Sequence, residues 1–473
     1  MKNKKIVSFF LISLLSFLCV LSVGAKNIQI DSVEEFTDFA QAVNNGDETF
    51  GKASVILTKD LDFTNKEFFS VGTAENPFEG IFNGGGHILS GITIDSYDEA
   101  YVKTTKTVTN GKEQILRSAS VGVFAYLHNA SVYNLGVSDM TINITAYEND
   151  TVCAGMLAGS FFADNSGETF SVKHCFADGS LNVICSGGSA YAGGLLGNVY
   201  DNGTEVAFHI SDCHADASLS ATAKNTVRCG GIVADLSVKK VFSTATLENL
   251  RFGGSIYGKC LMSCLGGICG FATVDNSWGT GDYDWTQEII PGKIINVVTD
   301  TTISASSSGS VFKGSVVGYS NTVVPENAYA VNVVNNSSYS FGGEEISRSK
   351  LSDADFMTQV VKFNMDDLWC IYDEKPVLKY ICTPDRIEIT DVKYSADSLI
   401  VTAEYKGFSA AGTLLCAVFS SDGRMIDIQT KALEDEINFV FALHTDASYA
   451  KVFLFGDKVS LNPLCNENEY EIK

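Results

Sequence analysis

The chain has 473 residues, is 45% hydrophobic and 19% charged, and carries a formal net charge of −23 at pH 7. That acidity excludes nucleic acid and anionic membrane surfaces as natural partners, and leaves few basic groups to grip acidic polysaccharides. By length it suits two or three domains, although a repeat fold can absorb most of such a length as one.

Residues 1–25 read as a secretory signal peptide. Lys2, Lys4 and Lys5 form a basic start, Ile6 to Val23 an apolar run, and Val23-Gly24-Ala25 a small-residue cleavage site before Lys26. The apolar run is about long enough to span a bilayer, but its flanks favour cleavage, and no later stretch is long and apolar enough to serve as a transmembrane anchor. The expected location is extracellular, secreted or associated with the cell surface.

Beyond the signal, Ile28-Gln-Ile30 is a short strand and a helix follows. Ser32 and Glu35 fit a capping box, Phe36, Phe39, Ala40 and Val43 share one face, and Asn45-Gly46 ends the helix. An amphipathic helix here is the expected lid on the open end of a repeat array, whose unpaired strand edges need covering.

From Ser54 the pattern changes to short apolar strands broken by Gly, Asn and Asp. In Phe78 to Ile94 the glycines are expected at tight corners of positive φ. A repeat then appears. Gly122-Val-Phe-Ala, Ala154-Gly-Met-Leu-Ala-Gly159, Gly193-Gly-Leu-Leu-Gly197, Gly230-Gly-Ile-Val-Ala234 and Gly266-Gly-Ile-Cys-Gly270 recur at roughly 33 to 39 residues, with a weaker copy at Gly314-Ser-Val-Val-Gly318. Cys175 to Leu181 and Cys213 to Leu219 add a second register mark further on in the unit. Each unit holds about three short strands, as one coil of a parallel β-helix does. A β-propeller has a similar period, but the repeat lacks a Trp-Asp signature and a hairpin-rich blade.

Two insertions interrupt the pattern, at 96 to 118 and at 274 to 290. Ser352 and Asp355 are placed to cap a late helix bearing Phe356, Val360 and Val361, and a strand pair around Trp369 and Pro376 to Tyr380 closes the domain. Past Pro384, strands at Ile387, Ser398 to Tyr405, Thr413 to Phe419, Met425 to Ile428, Ile437 to Phe441 and Ala450 to Phe455 describe a small β-sandwich, with Ser421-Asp-Gly-Arg424 as a hairpin turn. Of 13 cysteines, Cys153, Cys175, Cys185, Cys213 and Cys269 lie in apolar or small-residue runs. That favours buried free thiols over a disulfide scaffold.

Phe78-Glu-Gly-Ile-Phe-Asn-Gly-Gly-Gly-His-Ile-Leu-Ser-Gly-Ile92 resembles the opening coil of bacterial β-helix proteins with GLUG motifs. The Gly-Gly-Leu-Leu-Gly core of the repeats resembles that motif itself, and Trp369 to Lys379 the closing segment. The last 90 or so residues resemble the Ig-like tail of secreted proteins from anaerobic Gram-positive bacteria, notably at Lys451-Val-Phe-Leu-Phe455 and Pro463-Leu-Cys465, though the usual Trp-Asp is replaced by Phe455-Gly456. The resemblance implies a surface or secreted protein with an adhesion role. Some relatives belong to larger peptidases, whose H-E-x-x-H motif is absent here. The resulting expectation is an all-β chain: signal peptide 1–25, right-handed parallel β-helix 26–382 with an N-terminal capping helix, and Ig-like β-sandwich 383–473.

For a ligand site, the insertion at 274 to 290 is the first place to look. Trp278, Tyr283 and Trp285 could stack on sugar rings, with Asp282, Asp284 and Glu288 beside them; a solvated loop packed on the solenoid is the plainer reading. No catalytic residue is assigned and no cofactor is called for. Asp178 and Asp216 could offer oxygens to calcium, but a turn role fits them better without a Gly-Gly-x-Gly-x-Asp repeat. His174, Cys175, Cys213 and His214 look like zinc ligands by composition, yet alternation sends adjacent side chains to opposite faces. The leading expectation is a non-catalytic binding protein for an extracellular glycan or protein ligand. The competing one is a polysaccharide lyase or glycoside hydrolase, which would require convergent carboxylates or a suitably placed base.

Overall fold

Three parallel sheets run through the first part of the chain, and each sequence repeat feeds one strand to each of them. The computed structural model describes residues 26–109, 112–147, 149–203, 205–239, 243–274 and 292–379, and in the tail 386–395, 398–406, 413–421, 424–432, 436–442, 447–455 and 468–471.

The first full coil comprises Lys112–Val121 in sheet 2, Phe124–His128 in sheet 3 and Ser131–Thr145 in sheet 1. Later coils repeat that order, for example Ala190–Gly193, Leu196–Asp201 and Ala207–Ala223. The sixth ends with Val311–Gly314, Val317–Ser320 and Glu326–Ala330. Registers are in phase: Asp178 lies on Asp216 and Leu181 on Leu219, so the sequence identity between those two segments is an identity of stacked neighbours. Ile142, Leu181, Leu219, Ile256 and Ile303 form one such inward column, each at most 9% exposed. Burying each of these side chains stabilises the stack by about 1.5–3 kcal/mol. This part of the molecule is an all-β, parallel β-helix-like fold.

Glycine does two different jobs. Gly85, Gly86 and Gly91 have φ of 63°, 80° and 69°, the expected left-handed corners. The repeat glycines are different: their requirement is close approach. A Cβ on Gly193, Gly230 or Gly266 would stand 1.9, 1.8 or 1.9 Å from the carbonyl oxygen three residues on. One on Gly194, Gly231 or Gly267 would stand 1.9, 2.0 or 2.0 Å from the next coil's carbonyl. The doublet is what lets the chain fold sharply from sheet 2 into sheet 3.

A second corner bends the long strands of sheet 1. Asn134, His174, Asp212, Asn249, Asn296 and Asn327 all take positive φ between 48° and 57°, a conformation asparagine and aspartate tolerate better than other side chains. Their side chains are linked: Asn327 donates to Asn296 (2.8 Å), Asn296 to Asn249 (3.1 Å) and Asn249 to Asp212 (3.0 Å). Asn134 donates to Asn83 (3.0 Å), and His174 Nδ1 lies 3.1 Å from Asn134 Oδ1.

The N-terminal lid matches its sequence. Helix Val33–Asn44 has Ser32 accepting from the Glu35 N–H, while Glu35 accepts from the Asp31 N–H, and it buries Val33, Phe36, Phe39, Ala40 and Val43. Phe36 and Phe39 meet Phe63, Phe68, Phe78 and Phe82 of the first turns.

Three local expectations need correction. The insertion at 96 to 118 is largely a hairpin, Val102–Thr109 against Lys112–Val121, whose second strand starts sheet 2. It is anchored by Arg117 between Glu99 (2.6 Å) and the buried Asp150 (2.6 Å). The late helix is capped by Asp353, which accepts from the Phe356 N–H, and not by Ser352 or Asp355; its Met357 and Val361 are buried while Val360 is 37% exposed. Nor does the strand pair around Trp369 and Pro376, expected to close the domain, plug the open end. The end is covered by residues 331 to 343, with antiparallel bridges Gly314–Asn335 and Val317–Phe341. The helix and the antiparallel pair Trp369–Tyr372 and Lys375–Leu378 lie instead as a strap along the outer face of sheet 1, against Phe176, Val298 and Tyr329.

In the tail, Arg386–Tyr394, Ser398–Lys406 and Glu436–Ala442 form one antiparallel sheet. Met425–Ala432, Thr413–Ser420, Ala447–Phe455 and Asn468–Glu471 form another. Leu399, Val401 and Phe439 of the first share a core with Leu414, Cys416 and Val452 of the second.

Candidate binding groove

The glycine corner has a consequence on the outside of the solenoid. Side chains two residues before each marker glycine project outward from sheet 2: Cys153, Tyr191, Arg228, Cys264 and Phe312, stacked in register. Side chains five residues after it project outward from sheet 3: Ser160, Asn198, Asp235, Phe271 and Tyr319, also in register. These two outer columns touch. Ser120 and Ser160 hydroxyls are 2.7 Å apart, the Arg228 guanidinium pairs with Asp235, and Phe312 meets Tyr319 edge-on at 5.0 Å. Contact between outward side chains of two sheets means that the outer angle is concave, a shallow groove along the solenoid axis. Its floor is filled by the buried Ser120, Cys153, Ser160, Asp235 and Cys264, while Tyr191, Phe271 and Tyr319 are partly exposed.

Arg228 sits at its centre, 3.8 Å from the Phe271 ring centroid and 5.0 Å from that of Tyr191. Its side chain is 17% exposed, so these cation–π contacts act in a partly desolvated place. Toward one end, Phe271, Tyr319 and Tyr339 stack at 5.2 and 5.3 Å. Toward the other, on the next outward column of sheet 3, His128, Phe162 and Tyr200 stack at 4.5 and 5.3 Å. Lys103, from the hairpin, lies 5.0 Å over Phe162 and 5.8 Å over Tyr200. The result is two aromatic shelves with a cation between or above them.

The carboxylates here are committed to other groups. Asp235 holds Arg228 and also accepts from Ser237 (2.8 Å). Glu79 and Asp164 stand on opposite nitrogens of one imidazole, His128 Nδ1 at 2.6 Å and Nε2 at 2.9 Å. Burial would raise the Asp164 carboxyl, but Asn129 and His128 bring it below its ordinary value. Such a pair does not converge on a common external point, as acid and nucleophile or base must in glycoside hydrolysis. Burial pushes the Tyr191 and Tyr200 hydroxyls up and the Cys153 and Cys264 thiols up to about 12, so none is a ready base or nucleophile near neutral pH.

The proposed ligand residues Trp278, Asp282, Tyr283, Asp284, Trp285 and Glu288 lie outside the described residues. Their insertion leaves the solenoid after Val274, the last residue of a sheet 3 strand, and rejoins it at sheet 1. Sequence reading missed the groove residues. Their signal was available as fixed offsets from the glycine marker, two before and five after, but no single repeat shows it.

The remaining titratable groups separate. Cys175 and Cys213 point into the core with no solvent exposure, in the column that continues as Leu250 and Val297. His214 points outward under the strap, its ring 5.2 Å from Phe176 and 5.9 Å from Trp369. The four suspected zinc ligands therefore do not meet, and no group of three or more potential ligands is arranged for a metal among the described residues. Asp178 accepts from the Asp139 N–H (2.9 Å) and Ser138 (2.8 Å), the turn role. Asp216 instead pairs with Arg251 and Lys375. The described cysteines Cys153, Cys175, Cys185, Cys213, Cys229, Cys260, Cys264, Cys269, Cys370 and Cys416 are all free and buried.

Fold and groove together define an all-β protein whose parallel solenoid carries aromatic stacks along a shallow outer groove, and no helix among the described residues is long and apolar enough to cross a membrane. No family model and no curated protein matches the chain. Among solved structures it is similar to a protein provisionally assigned as an immunoglobulin A1 protease from Bacteroides ovatus, with 16% identity and a TM-score of 0.48 over 74% of this chain and 92% of that one. Two structures of a β-glucosidase from Kluyveromyces marxianus, one of them in complex with glucose, match 19% of this chain and 14% of theirs. Their identities are 13% and 17% and their TM-scores 0.14 and 0.13.

Proposed function

We propose that this chain is a secreted or surface-associated, non-catalytic binding protein of the adhesin type, whose solenoid recognises an extracellular glycan. In this reading residues 1–25 are removed on export, residues 26–382 form a right-handed β-helix of GLUG-type coils, and the Ig-like tail from 383 docks or presents it. The observation that carries the reading is the pair of aromatic shelves along one groove, in which every described carboxylate is engaged by a cation or an imidazole. Rings stacked on one another leave their edges and the end faces of each stack for a sugar ring to pack against, and among the described residues the committed carboxylates leave no acid–base pair to cleave it. The insertion bearing Trp278 and Trp285 belongs to the same proposal as a further contact.

A glycan array, followed by titration of the best hit, tests it. Wild-type protein is expected to bind, and Tyr319→Ala and Tyr200→Ala to weaken binding at least tenfold in protein that circular dichroism shows to be still folded. Reducing-end and unsaturated-product assays over a polysaccharide panel are expected to stay at background. Turnover in either assay, lost in His128→Ala, would establish the hydrolase or lyase reading instead.

A further inference from the structure

The outer face of sheet 1 beyond the strap has a composition unlike the rest of this acidic chain. Its outward columns are Thr141, Ser180, Ser218, Ser255 and Thr302, then Asn143, Asn182, Ser220, Tyr257 and Ser304. The third column starts Thr145, Ile184, Thr222 and Lys259. No carboxylate occurs in any of them, although the sequence has 56 Asp and Glu against 33 Lys and Arg. The face is flat because the residues between these positions, such as Leu219, Ala221 and Ile256, are locked into the core. Coils repeat about every 4.8 Å and alternate residues about every 6.7 Å, giving a regular grid of hydroxyls and amides. Some are already linked, Asn182 to Asn143 at 2.9 Å and Ser218 to Ser255 at 3.1 Å.

At the edge of this face the chain turns toward sheet 2, and there lies a depression of about 560 Å³. Thr222, Lys224, Lys259, Ser306, Ser307 and Ser308 line it, with no acidic residue. Stacking explains the meeting. Lys259 sits on Thr222, the Lys224 N–H donates to Cys185 of the preceding coil (3.1 Å), and the Ser306 and Ser308 N–H groups donate to Gly258 (2.9 Å) and Cys260 (3.3 Å). Three successive coils thus bring two lysines and four hydroxyl residues around one hollow, Ser307 being already linked to Ser263 (2.6 Å). Among the described residues neither lysine makes an ion pair.

We infer that this hollow is an anion site, and that with the neighbouring hydroxyl grid it takes an acidic glycan, the sulfate or carboxylate seated by Lys224 and Lys259 and the sugar hydroxyls facing the grid. Two lysines on one hollow, with no ion pair among the described residues, favour an anionic group, and the Thr222, Ser306 and Ser308 hydroxyls supply donors beside them. The net charge of −23 does not forbid this. At about 0.15 M salt the Debye length is ~8 Å, so the two local lysines outweigh distant carboxylates. The site is separate from the aromatic groove, being on sheet 1 at its junction with sheet 2.

The test is titration at 0.15 M salt with chondroitin sulfate, hyaluronan, neutral dextran and sodium sulfate, using the mature chain. Binding of chondroitin sulfate, of hyaluronan, or of both is expected, with dextran silent, and the pattern tells sulfate from carboxylate recognition. K224A/K259A is expected to lower that affinity at least tenfold, while Lys313→Ala, outside the lining of the hollow, leaves it unchanged. Tyr319→Ala should also leave it unchanged, which separates this site from the groove. Equal binding by wild type and K224A/K259A, no binding of either acidic polymer, or binding of inorganic sulfate alone would each overturn the assignment.

Discussion

Gly193 and Leu196 are so close that a Cβ on the glycine would stand 1.9 Å from the Leu196 carbonyl oxygen. Gly230 repeats the relationship with Val233 at 1.8 Å, one coil on. The obstacle is backbone, which cannot rotate away as a side chain can. Gly230→Ala is therefore expected to destabilise the solenoid by about 3 kcal/mol or more, at the upper end of overpacking effects. Gly167→Ala, with φ of 77° but nothing within 4 Å, should cost only about 1–2 kcal/mol. Urea unfolding midpoints would rank the two, and an equal loss would contradict the close-approach account.

The asparagine ladder separates backbone from side-chain energetics. Asn296 has φ of 57°, donates to Asn249 and accepts from Asn327. Asn296→Ala places an alanine in the left-handed region and takes the donor from the Asn249 carbonyl, while Asn327 keeps the Val360 and Val361 carbonyls, for a loss of roughly 2–3 kcal/mol. Asn296→Gly relieves the backbone part and should recover about 1 kcal/mol of it. Equal stability of the two variants would mean that the left-handed corner imposes no strain.

His214 governs a pH response. It is 2% exposed, neither ring nitrogen has a hydrogen-bond partner, and Asp216 Oδ2 is 3.9 Å away. Burial, and then the Arg251 charge, lower its pKa to about 3. The groups around it are Asp216, Arg251, Lys375 and, on the other side of Trp369, Asp212. The unfolded chain, with a histidine near 6.5, takes the proton more readily than the folded one. Stability from this group is thus complete above about pH 6.5 and lost as pH falls toward 3, by at most about 1.4 kcal/mol per pH unit. Asp216 acts in the same direction lower down, since burial raises its carboxyl but Arg251 and Lys375 outweigh this and hold it below its ordinary value. His214→Phe keeps the stack with Phe176 and Trp369 and should flatten the difference between unfolding midpoints at pH 7 and pH 4.5. Parallel curves for variant and wild type would falsify this assignment.

Thiol reactivity gives an independent check on packing. Burial raises the Cys153, Cys185, Cys264 and Cys416 thiols to about 12, so the thiolate is scarce at pH 8 and sterically covered. The ten described cysteines should resist alkylation in the folded protein and react fully in urea, as read by peptide mass spectrometry. Rapid labelling of Cys175 or Cys213 in the native chain would contradict their place in the core column.

Local rules in the chain by itself determined much of this molecule. Alternation at period two gave the strands of the tail, the Ser32–Glu35 pattern and the Phe36, Phe39, Val43 face gave the lid, and the Gly-Gly marker gave the coil. Each is set within a few residues, so each is legible from a window of the sequence. What the tertiary structure alone decided depends on register between coils. Tyr191, Arg228 and Phe271 become one groove only because successive coils stack in phase, and Lys224, Lys259 and Ser306 become one hollow for the same reason. The strap is a longer-range case: the Trp369 indole N–H reaches Asp212 at 3.4 Å across 157 positions. No local propensity encodes such a contact, because it is selected by which apolar face remains uncovered once the sheets have formed.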